Sequence, residues 1–308
     1  MPHVISAREE SFQRPFDVRG LLEFFAVRAL PGVETVDTGK LLYRRIIDLA
    51  AGSPDRRDPS ACTGVLQVDL DAGGRLKVEV LAVGSSMLAP EVEEAISRGV
   101  RRLFDLDANP DRIVATLAAA PEFEKEGAGL AGVRVPGAWD RFETAVRAVL
   151  GQQISVAGAR TLAGRLVATL GDKLPDALRE PGLERTFPTP EQIAASDLRA
   201  IGLTAARARA LQEMASVVAT GALRFDAASA EVRERLLAIK GFGPWTVEYI
   251  AMRALGDADA FPASDLGLRK AVSSEQAVGA AELEAMAVNW RPVRAYAAIL
   301  LWRRAGGG

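Results

Sequence analysis

The chain has 308 residues, 49% of them hydrophobic, which is enough for two domains with a real core. Its 38 basic and 40 acidic residues give a formal net charge of −2, so the chain is not a generally cationic nucleic-acid binder. Cys62 is the only cysteine. Disulfides within the chain and multi-cysteine metal clusters are therefore excluded, and we expect carboxylates, lysines, hydroxyls or backbone groups to carry any chemistry.

The sequence contains no recognisable membrane or export segment. No apolar run approaches the roughly 20 residues that a membrane-spanning helix needs. Residues Met1 to Val4 do not lead into the apolar core of a signal peptide. We therefore expect a soluble intracellular protein.

Residues from about 12 to 85 have the pattern of strands. Gly64–Leu70 and Arg75–Val80 alternate apolar and polar residues on either side of a glycine-containing turn, which predicts a β-hairpin in a small antiparallel sheet. Leu21–Leu30 is expected to form a helix on that sheet, and Gly52–Ser60 to form a polar loop.

After residue 90 the pattern becomes helical. Glu91–Phe104 and Ile154–Leu170 have helical periodicity, whereas Pro121–Ala131 is predicted to be a glycine-rich connection. The fold class is therefore predicted to be α+β, with an N-terminal sheet domain over residues 1–108 and an all-α domain over residues 109–308.

The most informative stretch runs from Leu236 to Ile250 and predicts two helices, at about 230–256, joined by the turn Gly241-Phe242-Gly243. Glycine tolerates positive φ and lets main-chain amides approach a ligand closely. Pro244 suits the first turn of the second helix, and amides at a helix N-terminus favour a phosphate. The alternative is an ordinary αα-hairpin, because one Gly-x-Gly is a weak signal by itself.

This hairpin and the segment Phe261–Lys270 that follows it resemble the helix-hairpin-helix DNA glycosylases, and more narrowly the 3-methyladenine DNA glycosylase II or AlkA family. Further landmarks keep the family's order and rough spacing: Arg102–Leu106, Asn109-Pro110, Val135–Gly137, Phe142, Val146–Gln152, Ser155–Ala157, Phe187–Pro190, Trp290–Pro292, Tyr296 and Trp302. The resemblance implies a monofunctional enzyme of base excision repair. Such an enzyme flips alkylated, cationic purines such as 3-methyladenine out of double-stranded DNA and hydrolyses the N-glycosidic bond, leaving an abasic site.

The resemblance also implies the residues of the site. Asp265 matches the catalytic aspartate that faces the deoxyribose, although an aspartate at this place is also a typical helix N-cap. A fixed anion stabilises the positive charge that develops on the sugar. The aromatic positions that enclose the flipped base are matched by Trp245, Tyr249, Trp302 and Phe24. The alternative for Trp245 and Tyr249 is a pair of core aromatics on one helix face.

The family pattern further implies how DNA is held. The residues expected to contact DNA are Gly241, Phe242, Gly243, Thr246, Gln152, Gln153 and Ser264. A monovalent cation, Na⁺ or K⁺, is expected on the backbone carbonyls near Leu237, Ile239 and Phe242. No cofactor is expected for catalysis. We expect a monomer in the bacterial cytoplasm, associated with the nucleoid when it is on DNA.

Two positions depart from related patterns. Glycosylases that also cut the strand carry a lysine nucleophile where this chain has Trp245, and a single cysteine cannot hold the iron–sulfur cluster of the endonuclease III branch. Gln153 stands where the AlkA pattern has a leucine that fills the gap left by the flipped base, so the side chain in that gap would be polar here. The alternative is that Gln152 and Gln153 are simply a polar pair at a helix start. Two alternatives remain: a glycosylase for oxidised or deaminated bases, and a non-catalytic DNA-binding module.

Overall fold

The computed structural model describes residues 2–49, 63–71, 73–83, 88–127, 129–273 and 276–306. Its N-terminal part contains an antiparallel sheet with the strand order β1-β5-β4-β3-β2. The five strands are β1 (His3–Glu10), β2 (Glu34–Asp37), β3 (Leu42–Asp48), β4 (Thr63–Asp69) and β5 (Leu76–Ala82). The predicted polar loop Gly52–Ser60 lies outside the described residues.

The predicted β-hairpin is confirmed as β4 and β5. Leu66 pairs with Val80 and Val68 with Val78, and all four side chains are buried, as the alternating pattern requires. Strand β1 was not predicted, because only Ile5 and Glu10 of its eight residues are buried and its composition is largely polar. It pairs with the outer edge of β5.

Helix α1 (Val18–Arg28) packs on the sheet through Leu21, Leu22 and Phe25, which confirms the predicted helix there. Asp17 caps its N-terminus by accepting a hydrogen bond from the amide of Gly20 at 2.9 Å. The apolar face of α1 therefore packs against the sheet. The last turn of α1 lies where the sheet meets the helical part of the chain.

The rest of the chain is helical, as predicted. The helices are α2 (Pro90–Phe104), α3 (Pro110–Leu117), α4 (Gly129–Gly132), α5 (Arg141–Leu150), α6 (Val156–Leu170), α7 (Pro190–Ala195), α8 (Ala205–Ala219), α9 (Ser229–Ala238), α10 (Pro244–Ile250), α11 (Leu266–Ala271), α12 (Ala280–Ala287) and α13 (Arg294–Arg304). A π-helical turn, Ala251–Leu255, continues α10. Short 3₁₀ turns cover Asp176–Leu178, Leu198–Ile201 and Val288–Trp290.

The predicted connection Pro121–Ala131 is more ordered than expected. It contains a 3₁₀ helix, Pro121–Glu126, before α4. The physical reason is Phe123, which is fully buried edge-on against Trp290 at a centroid distance of 5.2 Å. One buried aromatic side chain thus holds a segment whose glycines predicted a loop.

The hydrophobic core joins the two predicted domains. One buried cluster contains residues of the sheet, α1 and α2 together with residues of α13, and a second cluster contains residues of α5, α8, α9 and α10. The division at residues 108 and 109 stays a prediction. Among the described residues, no helix is long and apolar enough to cross a membrane.

Candidate active site

Asp265 is held by three hydrogen bonds at the start of α11. Its Oδ1 accepts from the amide of Leu268 at 3.0 Å and from the indole Nε1 of Trp302 at 2.9 Å. Its Oδ2 accepts from the indole Nε1 of Trp245 at 2.8 Å. Asp265 is thus an N-cap, and it is also a carboxylate fixed by two tryptophans. The two interpretations of this aspartate are compatible.

Three of the predicted aromatic residues lie together beside this carboxylate. The rings of Trp245 and Tyr249 are stacked at a centroid distance of 5.3 Å, as residues one helical turn apart can be. Tyr249 and Trp302 are 6.0 Å apart and tilted by 57°. With Asp265 and Phe24 they line a cavity of about 420 Å³ between α1, α10 and α13.

Two arginines lie over the ring of Phe24. The guanidinium carbon of Arg28 lies 3.8 Å from the centroid of its ring, and that of Arg253 lies 4.7 Å from it. Neither arginine was predicted from the sequence. The available signal was spacing, because Arg28 follows Phe24 by one helical turn and Arg253 follows Tyr249 in the same way.

Arg253 is fixed by neighbours on three sides. It donates to the hydroxyl of Tyr249 at 2.8 Å, to the carbonyl of Gly137 at 3.3 Å and to the carbonyl of Pro136. Burial would raise the pKa of Tyr249, but the charges of Arg253 and other arginines outweigh it and lower that pKa below its ordinary value. Arg253 and Tyr249 are therefore a hydrogen-bonded pair in the wall of the cavity.

A cluster of buried ion pairs forms another part of the cavity wall. Arg147 donates to Glu34 at 2.8 Å and to Glu143 at 3.0 Å, and Arg45 donates to Glu143 at 2.7 Å. The hydroxyl of Tyr43 donates to Glu34 at 2.6 Å. Burial opposes ionisation of Glu34, but Arg147 and Arg45 outweigh it and lower its pKa. This cluster joins the sheet to α5, because each buried charge has a partner across the boundary.

The hairpin between α9 and α10 has one glycine in the left-handed region. Gly241 has φ of +102°, which other residues rarely adopt, whereas Gly243 has φ of −99° and a β-carbon there would meet no atom within 4 Å. Gln152 donates to the carbonyl of Gly241 at 3.0 Å and to the hydroxyl of Thr246 at 2.9 Å. Gln152 therefore fixes the hairpin to the end of α5.

Gln153 and Ser264 are both exposed next to the cavity. Gln153 adopts φ of +56° in the turn between α5 and α6, and Ile154 and Val156 beside it are 39% and 40% exposed. Ser264 directly precedes Asp265. Exposed apolar side chains around an open cavity suit contact with another macromolecule.

Two of the three carbonyls predicted to hold the monovalent cation have acceptor capacity left. Leu237 lies in the last turn of α9, where carbonyls lack an intrahelical donor. The carbonyl of Ile239 accepts the amide of Phe242 at 3.1 Å and keeps a second lone pair. Among the described residues, no group of three or more histidine, cysteine or acidic residues could hold a metal ion.

Two family models match the chain. One, described as the AlkA N-terminal domain, covers residues 9–140, and the other, described as the HhH-GPD superfamily base excision DNA repair protein, covers residues 146–294. The two matched ranges meet at the start of α5, further along the chain than the predicted domain boundary at residues 108 and 109.

Curated relatives and a solved structure agree with this match. Two Mycobacterium tuberculosis proteins, whose name joins a transcriptional activator to the DNA repair enzyme AlkA, are 39% identical over 94% of this chain, which spans 55% of their length. DNA-3-methyladenine glycosylase 2 of Escherichia coli is 31% identical over 96% of both chains. The 3-methyladenine DNA-glycosylase from Archaeoglobus fulgidus has a similar fold, with a TM-score of 0.78 at 23% identity over 97% of this chain and 98% of that one. The chain therefore belongs to the AlkA family of helix-hairpin-helix DNA glycosylases.

Proposed function

We propose that the chain is a monofunctional DNA glycosylase of base excision repair that releases alkylated purines such as 3-methyladenine. The observation that carries the proposal is Asp265, a carboxylate fixed by the indole N–H groups of Trp245 and Trp302 at the wall of an aromatic cavity. The names of its curated relatives support the same activity.

In the proposed reaction, the damaged nucleotide leaves the DNA stack and its base enters the cavity. Breaking the bond between the sugar and the base builds positive charge on the sugar. The carboxylate of Asp265 stabilises that charge without reorganising, because three hydrogen bonds already hold it in place. A water molecule then adds to the sugar, and an abasic site remains.

The ring faces of Trp245 and Tyr249 give the selectivity for a cationic base. A cation over an aromatic face gains roughly 0.5–2 kcal/mol, which a neutral base does not. An alkylated purine is already positively charged and leaves readily, so one carboxylate is sufficient for catalysis.

The proposed partner is double-stranded DNA, held at the hairpin by the backbone of Gly241 and Gly243. The predicted contacts Phe242 and Thr246 are buried, so they support the turn from within and do not touch DNA with their side chains. The amides there can approach a phosphate closely, because no side chain projects from Gly243. The carbonyls of Leu237, Ile239 and Phe242 would hold the monovalent cation, which would neutralise phosphate charge when bound. Gln153 would enter the gap that the flipped nucleotide leaves.

The residues of the cavity support the proposal that the enzyme does not cut the strand. Trp245 occupies the position of the lysine nucleophile, and among the described residues no lysine lines the cavity. A Schiff base with the sugar needs such an amine. We further propose that the enzyme acts as a monomer in the bacterial cytoplasm, on nucleoid DNA.

The test is release of free methylated bases from alkylated duplex DNA, separated and identified by chromatography. The proposal expects 3-methyladenine among the products of the wild-type protein and about a hundredfold less or none from Asp265→Asn. Binding of DNA without any base release would favour the non-catalytic module instead. Release of oxidised bases alone would favour the glycosylase for oxidised bases.

A further inference from the structure

The turn between α5 and α6 contains a residue in an uncommon backbone conformation. Gln153 has φ of +56°, a left-handed value that residues other than glycine seldom adopt. Such a conformation persists only where neighbouring contacts hold it. On the following side, the amide of Ile154 donates to the carbonyl of Gly151 at 3.5 Å, which is a long hydrogen bond. A stronger restraint lies on the preceding side.

Arg207 of α8 provides that stronger restraint. Its Nη2 donates to the carbonyl of Gln152 at 2.7 Å. This carbonyl belongs to the peptide group that joins Gln152 to Gln153, so the hydrogen bond fixes the peptide plane that precedes the φ rotation of Gln153. The donor is charged, and hydrogen bonds from charged donors are shorter and stronger than those between neutral groups. The backbone before Gln153 is therefore held by a side chain from another helix.

The same side of α8 also supports the hairpin. Ala210 follows Arg207 by three residues, which places both on one face of the helix. A β-carbon at Gly241 would lie 3.2 Å from the β-carbon of Ala210, so the backbone of the hairpin packs closely on α8 there. Helix α8 is therefore a shared support for two segments, the hairpin and the turn that contains Gln153.

Building on the proposed function, we infer that Arg207 is a positioning residue for base flipping. It holds the peptide group before Gln153, so that this exposed residue is ready to enter the gap left by the flipped nucleotide. Because the hairpin also rests on α8, Arg207 sets the position of Gln153 relative to the segment that grips phosphate. Arg207 does not line the cavity that contains Asp265, so it acts on flipping and not on the chemical step.

This role makes the effect of Arg207 depend on how firmly the damaged base is paired. A base that flips out of a matched pair loses stacking and pairing, and a side chain in the gap offsets part of that loss. A mismatched base flips more easily. Without Arg207 the turn is free to leave its left-handed conformation, and Gln153 has to be ordered again as it enters the DNA. Release from a matched pair therefore depends on Arg207 more than release from a mismatch does.

The experiment measures single-turnover release of 3-methyladenine from methylated duplexes whose one adenine stands opposite thymine, its matched partner, or opposite cytosine. Arg207→Met keeps a long side chain but has no donor. It should slow release from the matched duplex by about tenfold and from the mismatched duplex by less than about threefold. Affinity for undamaged duplex DNA should stay at the wild-type level. Arg209→Met, at an exposed arginine on the opposite side of the same helix, should match the wild type.

A second variant tests whether Arg207 acts through the turn. Glycine adopts positive φ without strain, so Gln153→Gly removes both the side chain and the need for a restraint. Arg207→Met should then slow release by less than about twofold in the Gln153→Gly background, since the two residues act as one unit. Equal slowing by Arg207→Met in the wild-type and Gln153→Gly backgrounds would overturn the inference, because Arg207 would then act elsewhere.

Thermal melting establishes that each variant is folded, and Arg207→Gln replaces Arg207→Met if the latter is not. Wild-type rates in the folded variant would overturn the inference, as would equal slowing on the matched and mismatched duplexes. Weaker binding to undamaged DNA would also overturn it, because Arg207 would then be a phosphate contact. Release of no 3-methyladenine by the wild-type protein would instead overturn the proposed function, and this inference with it.

Discussion

Trp302 donates its indole N–H to Oδ1 of Asp265 at 2.9 Å, so a ring that lines the cavity also orients the carboxylate beside it. Trp245 does the same for Oδ2 at 2.8 Å. The tryptophans thus line the cavity with their ring faces and fix the carboxylate with their N–H groups, and in the proposed function the ring faces would enclose the base. Substitutions can separate these roles, because phenylalanine keeps an aromatic face and lacks the donor.

The first prediction concerns the charge of Asp265. Asp265→Asn should lower single-turnover base release by about a hundredfold or more, because the amide gives the sugar no negative charge to face. Binding to DNA with an abasic-site analogue should stay close to wild type. Near wild-type turnover in this variant would show that another group stabilises the sugar.

The second prediction concerns the donor of Trp302. Trp302→Phe should slow base release by roughly tenfold with little loss of DNA binding, because Asp265 loses one of the hydrogen bonds that hold it. The same change in an Asp265→Asn background should add little, since the two residues act as one unit. Equal effects of Trp302→Phe in both backgrounds would show that the ring face, rather than the N–H group, is what matters.

The resemblance to the helix-hairpin-helix glycosylases, carried in part by the spacing between the hairpin and Asp265, predicted the main parts of this site. The structure brings Asp265, Trp245, Tyr249 and Trp302 into one cavity, and their roles stay predictions. The hydrogen bonds from the indoles to Asp265 could not be predicted, because they depend on how α10 and α13 pack around α11.

Other features of the structure could not be predicted from the sequence, for different reasons. Arg28 reaches the cavity only because the sheet fixes α1 beside the helical part, which is a tertiary effect that local sequence does not encode. Strand β1 was missed because an edge strand with a polar exposed face has little alternation to detect. The segment around Phe123 was predicted as a loop because its glycines outweighed a single buried aromatic residue.

The third prediction concerns the hairpin. Gly243→Val should weaken binding to undamaged and damaged DNA alike, by roughly tenfold or more, because a branched side chain would separate the amides from a phosphate. The fold should tolerate it, since a β-carbon at Gly243 meets no atom within 4 Å and φ is −99°. Gly129→Val, at a glycine that is equally open, is the matched control. Unchanged DNA affinity in Gly243→Val would rule out this surface.

The fourth prediction concerns strand cutting. Borohydride should trap no covalent adduct between the protein and DNA, and strand breaks should appear only after alkali. Lys240, the lysine of the hairpin, is exposed and does not line the cavity. Efficient trapping would show that another amine reaches the sugar and would place the enzyme among the glycosylases that also cut the strand.

The fifth prediction concerns Asp105 and the dependence of stability on pH. Asp105 accepts hydrogen bonds from the amide of Val135 at 3.0 Å and from the hydroxyl of Tyr296 at 3.3 Å. Burial raises its pKa from 3.8 to about 6, and these hydrogen bonds only partly oppose that shift. The folded state therefore binds this proton more tightly than the unfolded chain does.

The direction in which stability changes with pH follows from this difference in proton affinity between the folded and unfolded states. Below pH 3.8 Asp105 is protonated in both states, whereas between pH 3.8 and about 6 the unfolded chain ionises first. The free energy of unfolding should therefore fall as pH rises through this window, by up to about 3 kcal/mol from this group, and the loss should be constant above it. Asp105→Asn does not titrate, so its stability relative to wild type should increase from pH 4 to pH 6 and then level off. Denaturant unfolding at several pH values measures the difference, with exposed Asp111→Asn as the control for lost charge. A difference that does not change over the window would show that Asp105 ionises as easily in the folded protein as in the unfolded chain.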